Sequence, residues 1–231
     1  MRPIVLDTSL LLPGLLSRGG RPHGRALLIL FGLGALTLRE RRLEEERLLL
    51  EREAARLGGE LRGPSFEREL ENVRQRREQL RDALPLRAPH DLCLVGSTRL
   101  FDEVERKVAE VGRRLDPQLP GDAPAVARRI VEYLTSVMVD FYPHEQMPAH
   151  TTDPEDDYLV EMAYRADAFA IVSRDRAVVP ERTMTWTDER RGISVPGYWQ
   201  SAFVEAHVEN SGFALDDIDP VLLERVLDTM T

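Results

Sequence analysis

The chain has 231 residues, 31 basic and 40 acidic side chains, a formal charge of −9 and a single cysteine, Cys93. That length suits one fairly large domain, or one domain with an elaboration, and a core that needs no disulfides. One cysteine excludes a disulfide framework and a cysteine zinc site, and net acidity argues against non-specific coating of nucleic acid. It leaves open an enzyme that acts on phosphodiesters through metal ions.

The charge is uneven. Residues 1–114 carry 22 basic and 18 acidic groups, whereas residues 115–231 carry 9 and 22. Lys107 is the only lysine among the 31 basic residues. A genome rich in G and C, or a use for planar guanidinium forks, would each produce this bias.

In chain order, Pro3-Ile4-Val5-Leu6 is a short apolar run ending at Asp7. The longest uncharged run, Ala26 to Leu38, has 13 residues where a membrane span needs about 20. Arg18, Arg21 and Arg25 precede it, but no small-x-small cleavage site stands out, so a buried helix and a cytoplasmic protein are expected. Residues 39–87 hold 13 Arg and 12 acids. Leu36, Leu43, Leu50 and Leu57 recur every seven residues, a coiled-coil seam spacing. A Gly/Pro break at 58–65 follows, and then Phe66, Leu70, Val73, Arg77, Leu80 and Leu84 step by helical intervals. The spacing predicts an inserted antiparallel hairpin, its arms roughly 30 Å long. Its near-equal charges favour a solvated structural arm over a basic stripe.

Leu92-Cys93-Leu94-Val95 is a second strand, followed by a helix with Phe101, Val104, Val108 and Val111 on one face. A helix is expected from Ala123 to about Phe141, capped by Asp122, with Ile130, Leu134, Val137 and Met138 inward. Another is expected to open at Asp153-Pro154, with Leu159, Met162, Ala163 and Ala166 facing the core. Phe169 to Ser173 is a third strand, and Ile193 to Val195 a fourth, followed by a helix bearing Trp199 and Phe203. A last helix is expected over Pro220 to Met230, within a C-terminal extension at 212–231. Short apolar strands between helices predict an α/β protein with a central parallel sheet covered on both faces.

The chain has no Gly-x4-Gly-Lys loop and no Gly-x-Ser-x-Gly elbow, and its five histidines do not pair at metal-ligand spacing. What remains is carboxylate chemistry. Ligands bind outside the carboxyl ends of parallel strands. Asp7 and Asp175 follow two such ends, Asp102 or Glu103 begins the helix after the second strand, and Asp156 or Asp157 lies in the first turn of the helix before the third. Two carboxylates about 4 Å apart repel by around 4 kcal/mol at an effective dielectric near 20, so a cluster calls for a cation. Hard oxygen donors without Cys or His select Mg²⁺ or Mn²⁺. Taken singly, each acid has a plainer role: a helix cap for Asp7, an ordinary helix start at Asp153 to Asp156, an i,i+4 pair of Glu103 with Lys107, a turn for Asp175.

Ile4-Val5-Leu6-Asp7-Thr8-Ser9 resembles the opening strand end of PIN domain nucleases. Asp153 to Ala163, Ala166-Asp167-Ala168 and Ile171-Val172-Ser173-Arg174-Asp175 are similar to that family's second half, and Val95 to Val104 to the segment carrying its helical Glu. The resemblance implies a PIN-like three-layer fold over residues 1–231, with residues 39–87 as an inserted helical hairpin. It carries the catalytic and metal-binding acids onto Asp7, Glu103, Asp156 and Asp175. Thr8, Ser9, Ser173 and Arg174 would line the substrate site, with Asp102 and Asp157 as rivals to Glu103 and Asp156. Arg174 stands where the family usually has glycine, either to contact phosphate or to fill the pocket. Arg18, Arg21 and Arg25 are further phosphate-binding candidates. The implied activity is a Mg²⁺- or Mn²⁺-dependent endoribonuclease, most often the toxin of a toxin–antitoxin pair. RNA would be the substrate, an antitoxin protein a partner, and the protein a homo-oligomer without a membrane anchor. The competing readings are a nuclease acting on DNA and an interaction scaffold working through the hairpin.

Overall fold

A computed structural model of the chain describes residues 1–16, 22–57, 63–83, 91–115, 123–142 and 150–208. The elements run β1 (Arg2–Leu6), α1 (Thr8–Leu16), α2 (Pro22–Leu57), α3 (Pro64–Ala83), β2 (Leu92–Ser97), α4 (Thr98–Leu115), α5 (Ala123–Val137), β3 (Met138–Tyr142), α6 (Asp157–Arg165), β4 (Ala170–Ser173), β5 (Thr183–Asp188), β6 (Ile193–Trp199) and α7 (Gln200–His207).

The strands form a six-stranded sheet in the order β3-β2-β1-β4-β6-β5. All neighbours are parallel except β5, which pairs antiparallel with β6. Every residue of β2 and β4 is buried, whichever way it points, so both faces of the sheet's centre are covered. The mixed α/β class with a mostly parallel central sheet agrees with the sequence-based expectation. Order reverses at β1, which lies between β2 and β4, and this switch point opens a crevice at the carboxyl edge.

The helix expected to open at Asp153-Pro154 instead starts at Asp157, with residues 154–156 in a turn before it, and three further details differ from expectation. The helix expected to reach Phe141 ends at Val137, and Met138–Tyr142 instead forms the edge strand β3. The amphipathic pattern with Ile130, Leu134 and Val137 inward does hold, but pairing with β2 takes over where the helix stops. A Cβ at Gly96 would come within 2.1 Å of the Met138 sulfur, so this glycine permits the close approach of the two strands. Strand β5 was not expected from its Thr-rich alternation, exposed on one side and half-buried on the other. Strand β6 runs on to Trp199, which precedes α7 instead of lying within it.

Helix α2 joins what the sequence divides into a buried helix and an arm. Its 36 residues extend about 54 Å without a break at residue 39. Its first half lies on the sheet: a Cβ at Gly34 would sit 1.7 Å from the Leu92 carbonyl oxygen, so only glycine lets helix and strand meet there. Its second half lies against α3. Leu43, Ala54, Leu70, Val73 and Leu80 are buried along this contact. Arg77, the polar member of the repeat, reaches Glu40 at 2.7 Å and Glu44 at 3.0 Å, while Arg74 reaches Glu51 at 2.9 Å. These pairings run in opposite directions along the two helices, as an antiparallel arrangement requires. The side chain of Leu57, residues Leu84 and Asp122, and the helix expected at 220–230 lie outside the described residues. Among the described residues no helix is long and apolar enough to cross a membrane.

Candidate active site

Asp7 leaves the end of β1 just before α1 begins, and its amide bonds to the Val172 carbonyl of β4. Its carboxylate is almost wholly buried. The Oδ1 atom accepts the Ser9 amide at 3.0 Å, and Oδ2 accepts the hydroxyls of Ser9 and Ser173, each at 2.5 Å. Both hydroxyls are themselves positioned by backbone donors. The Asp175 amide donates to Ser173 Oγ at 2.8 Å and the Arg174 amide to Ser9 Oγ at 3.3 Å. Two strand ends are thereby tied through two hydroxyls to one carboxylate.

Glu103, on α4, is 7% exposed, whereas neighbouring Asp102 is exposed on the outer side of the helix. The Thr8 hydroxyl donates to Glu103 Oε1 at 2.7 Å and lies 3.3 Å from Asp7 Oδ1. Buried Tyr158 donates to Oε2 at 2.6 Å, and the Lys107 ammonium sits 2.5 Å from Oε1. Burial opposes the Glu103 charge, but the hydrogen bonds of Lys107, Tyr158 and Thr8 outweigh it and hold the group below its usual range.

Asp156 and Asp157 divide cleanly. Asp157 Oδ1 accepts the amides of His150 and Thr151 and the Thr151 hydroxyl, so this acid fastens the loop before α6. Asp156 stands at the N-cap position of α6 yet makes no side-chain capping bond. Burial, followed by the fields of Asp7, Glu103, Asp153 and Asp175, pushes its pKa up to about 7. Asp175 is exposed at the rim, where Oδ1 accepts the Ala177 amide at 2.8 Å. The fold therefore brings Asp7, Glu103, Asp156 and Asp175 into one electrostatic neighbourhood and turns Asp102 and Asp157 to other surroundings. Thr8, Ser9 and Ser173 bond within it, and Arg174 is exposed beside Ser9. Arg18, Arg21 and the side chain of Arg25 lie outside the described residues.

The sequence model of the PIN domain family matches residues 3–177, about three-quarters of the chain. The chain belongs to the PIN domain family. This is a nuclease-type fold, and Asp7, Glu103, Asp156 and Asp175 all lie within the matched region. Neither a curated protein nor a solved structure matches the chain.

The donor chemistry of this PIN site fits a divalent cation. Asp7, Glu103, Asp156 and Asp175 offer only hard oxygens, and the raised pKa of Asp156 marks negative charge that its surroundings do not neutralise. Among the described residues, no three His, Cys, Asp or Glu side chains converge closely enough to hold an ion as they stand.

Two contributors escaped the sequence reading. Tyr158 carries no motif of its own; its position in α6, one turn-step beyond Asp156, is the only signal. Glu161, 1% exposed, anchors the far side of the same helix. It is bonded by Arg165 at 3.0 Å and twice by Arg191, at 2.9 and 3.0 Å, from the turn between β5 and β6. That clamp ties α6, with Asp156 at its start, to the antiparallel edge of the sheet.

Proposed function

We propose that this PIN protein is a Mg²⁺- or Mn²⁺-dependent endoribonuclease that hydrolyses RNA phosphodiesters. The observation that carries the reading is a set of four carboxylates delivered by four separate segments to one edge of the sheet, one of them raised to about 7 by burial and then by the fields of its acidic neighbours. Asp7, Asp156 and Asp175, with Glu103, would hold the metal. When bound, the ion supplies charge for the phosphate oxygens and lowers the pKa of water, from which the attacking nucleophile arises. The chain's own groups set the stage. Ser9 and Ser173 fix the rotamer of Asp7, and Tyr158 and Thr8 fix Glu103. Exposed Arg174, at the rim beside Asp175, is placed to meet a backbone phosphate.

The family's usual setting makes a toxin with a protein antitoxin the biological role we favour. The test is cleavage of single-stranded and structured RNA, with a DNA control, in Mg²⁺ or Mn²⁺, beside an EDTA control and Asp7→Asn. Metal-dependent cutting by the wild type alone is expected. Equal products from wild type, variant and EDTA control would overturn the catalytic reading, and cutting of DNA alone would replace the substrate.

One observation favours a second reading, in which the fold is a scaffold acting through α2 and α3. Leu48 and Leu49 are 38% and 63% exposed on the arm. Self-association through this arm predicts a smaller particle for Leu49→Glu by light scattering. An unchanged mass would remove it.

A further inference from the structure

Lys107 stands inside the acidic neighbourhood, not at its edge. Its Nζ lies 2.5 Å from Glu103 Oε1 and donates to Thr8 Oγ1 at 2.8 Å. The two contacts belong to different helices, so the ammonium bridges α4 and α1 at Thr8, the residue after Asp7. An ordinary i,i+4 surface pair keeps both partners in water, as Arg106 and Glu110 do at 48% and 53% exposure. Here the values are 28% for Lys107 and 7% for Glu103. Residue choice points the same way. The chain uses arginine at every other basic position, and only here does it place an ammonium. A guanidinium is a broad planar fork, whereas an ammonium is a compact point charge close in size to what a small cation pocket accepts.

We propose that Lys107 is the built-in second cation of this site: its ammonium, on Glu103 Oε1 and Thr8 Oγ1, stands in for a second divalent ion, so that the four acids hold one ion and not two. The inference rests on the nuclease reading for its context but is tested separately from it. Through these two contacts Lys107 is a positioning group for Glu103.

The experiment measures Mn²⁺ bound to the full chain by titration calorimetry and by electron paramagnetic resonance, without RNA. Wild type should bind one Mn²⁺ per chain. Lys107→Met should bind a second, or bind the first about tenfold more tightly, and Lys107→Arg, which keeps the charge, should retain the wild-type stoichiometry. Two ions on the wild type overturn the proposal outright, even if no variant folds. Unchanged stoichiometry and affinity in a folded Lys107→Met overturn it equally. RNA cleavage is scored in parallel: cutting with unchanged Mn²⁺ binding sinks this inference alone, whereas altered binding without cutting sinks the nuclease reading alone.

Discussion

The arm formed by α2 and α3 and the crevice at the carboxyl edge are both dense in charge, and they treat it in opposite ways. On the arm, acids alternate with arginines. Glu44 is held below its usual pKa chiefly by its hydrogen bond to Arg47, and Glu51 chiefly by its bond to Arg74. In the crevice, acids face acids, and Asp156 is displaced upward. The arm spends its charges on each other; the crevice accumulates charge that folding alone does not satisfy. Like charge brought together by separate elements is a functional signal, because it costs stability unless something outside the chain completes it.

The largest effect expected from breaking this contrast is at Asp7. Asp7→Asn keeps the side-chain shape but replaces one acceptor oxygen with an N–H donor and removes the charge, and should lower RNA cleavage by about a thousandfold, roughly 4 kcal/mol of barrier. A melting temperature at or above wild type would accompany it. Gel-based cleavage rates check the first and calorimetry the second.

The next concerns pH, where the two regions have opposite signs. The folded pKa of Asp156 lies above its unfolded value of 3.8. Its contribution is therefore fully present below about pH 4 and is lost as pH rises towards 7, each unit of displacement being worth about 1.4 kcal/mol. Glu44 and Glu51 are displaced downward, so their contribution is present above their unfolded pKa and is lost as pH falls through the folded one. Metal-free protein should lose stability between pH 4 and 7, and Asp156→Asn should flatten that slope. Denaturant melts across pH provide the measurement, and an equal slope in the variant would contradict the assignment.

A smaller change is expected at Tyr158, whose hydroxyl holds Glu103 Oε2 at 2.6 Å. Tyr158→Phe should reduce cleavage by about tenfold, in line with losses seen when groups that orient ligands are removed. Metal titration should show weaker binding in the same variant. The smallest effect belongs to the arm. Arg77→Leu restores the apolar repeat at the cost of the pairs with Glu40 and Glu44, and should leave the melting temperature unchanged or slightly raised, because partly exposed ion pairs contribute little. A clear drop would show that the arm depends on its charges as the crevice does.

Much of the fold is legible along the chain because its signals are local. Ile4 to Leu6, Leu92 to Val95 and Ile171 to Ser173 are apolar runs fixed by their own composition, and all three are buried strands. The repeat through Leu36, Leu43, Leu70, Val73 and Leu80 similarly shows in spacing what packing later buries. Strands β3 and β5 are not legible, since each lies at a sheet edge where the partner, not the residue types, decides the conformation. The unbroken passage of α2 through residue 39 also has no local sign, because composition changes there while helical geometry does not.

The site divides along the same line. Sequence alone determined that four segments end in acids and that no other chemistry was available. It could not choose Glu103 over Asp102, or Asp156 over Asp157, since neighbours in a helix differ by about 100° in direction and nothing in their identity records which way the core lies. Only the tertiary structure decided it, by burying Glu103 against Tyr158 and Thr8 and by giving Asp157 the loop amides while leaving Asp156 uncapped. It also decided the meaning of the lone lysine. In sequence Lys107 is one half of an i,i+4 pair; in the fold, contact with Thr8 of another helix places its charge among the acids. Short-range order is written in the sequence because neighbouring residues enforce it, whereas a field shared by groups a hundred residues apart exists only once the sheet has brought them together.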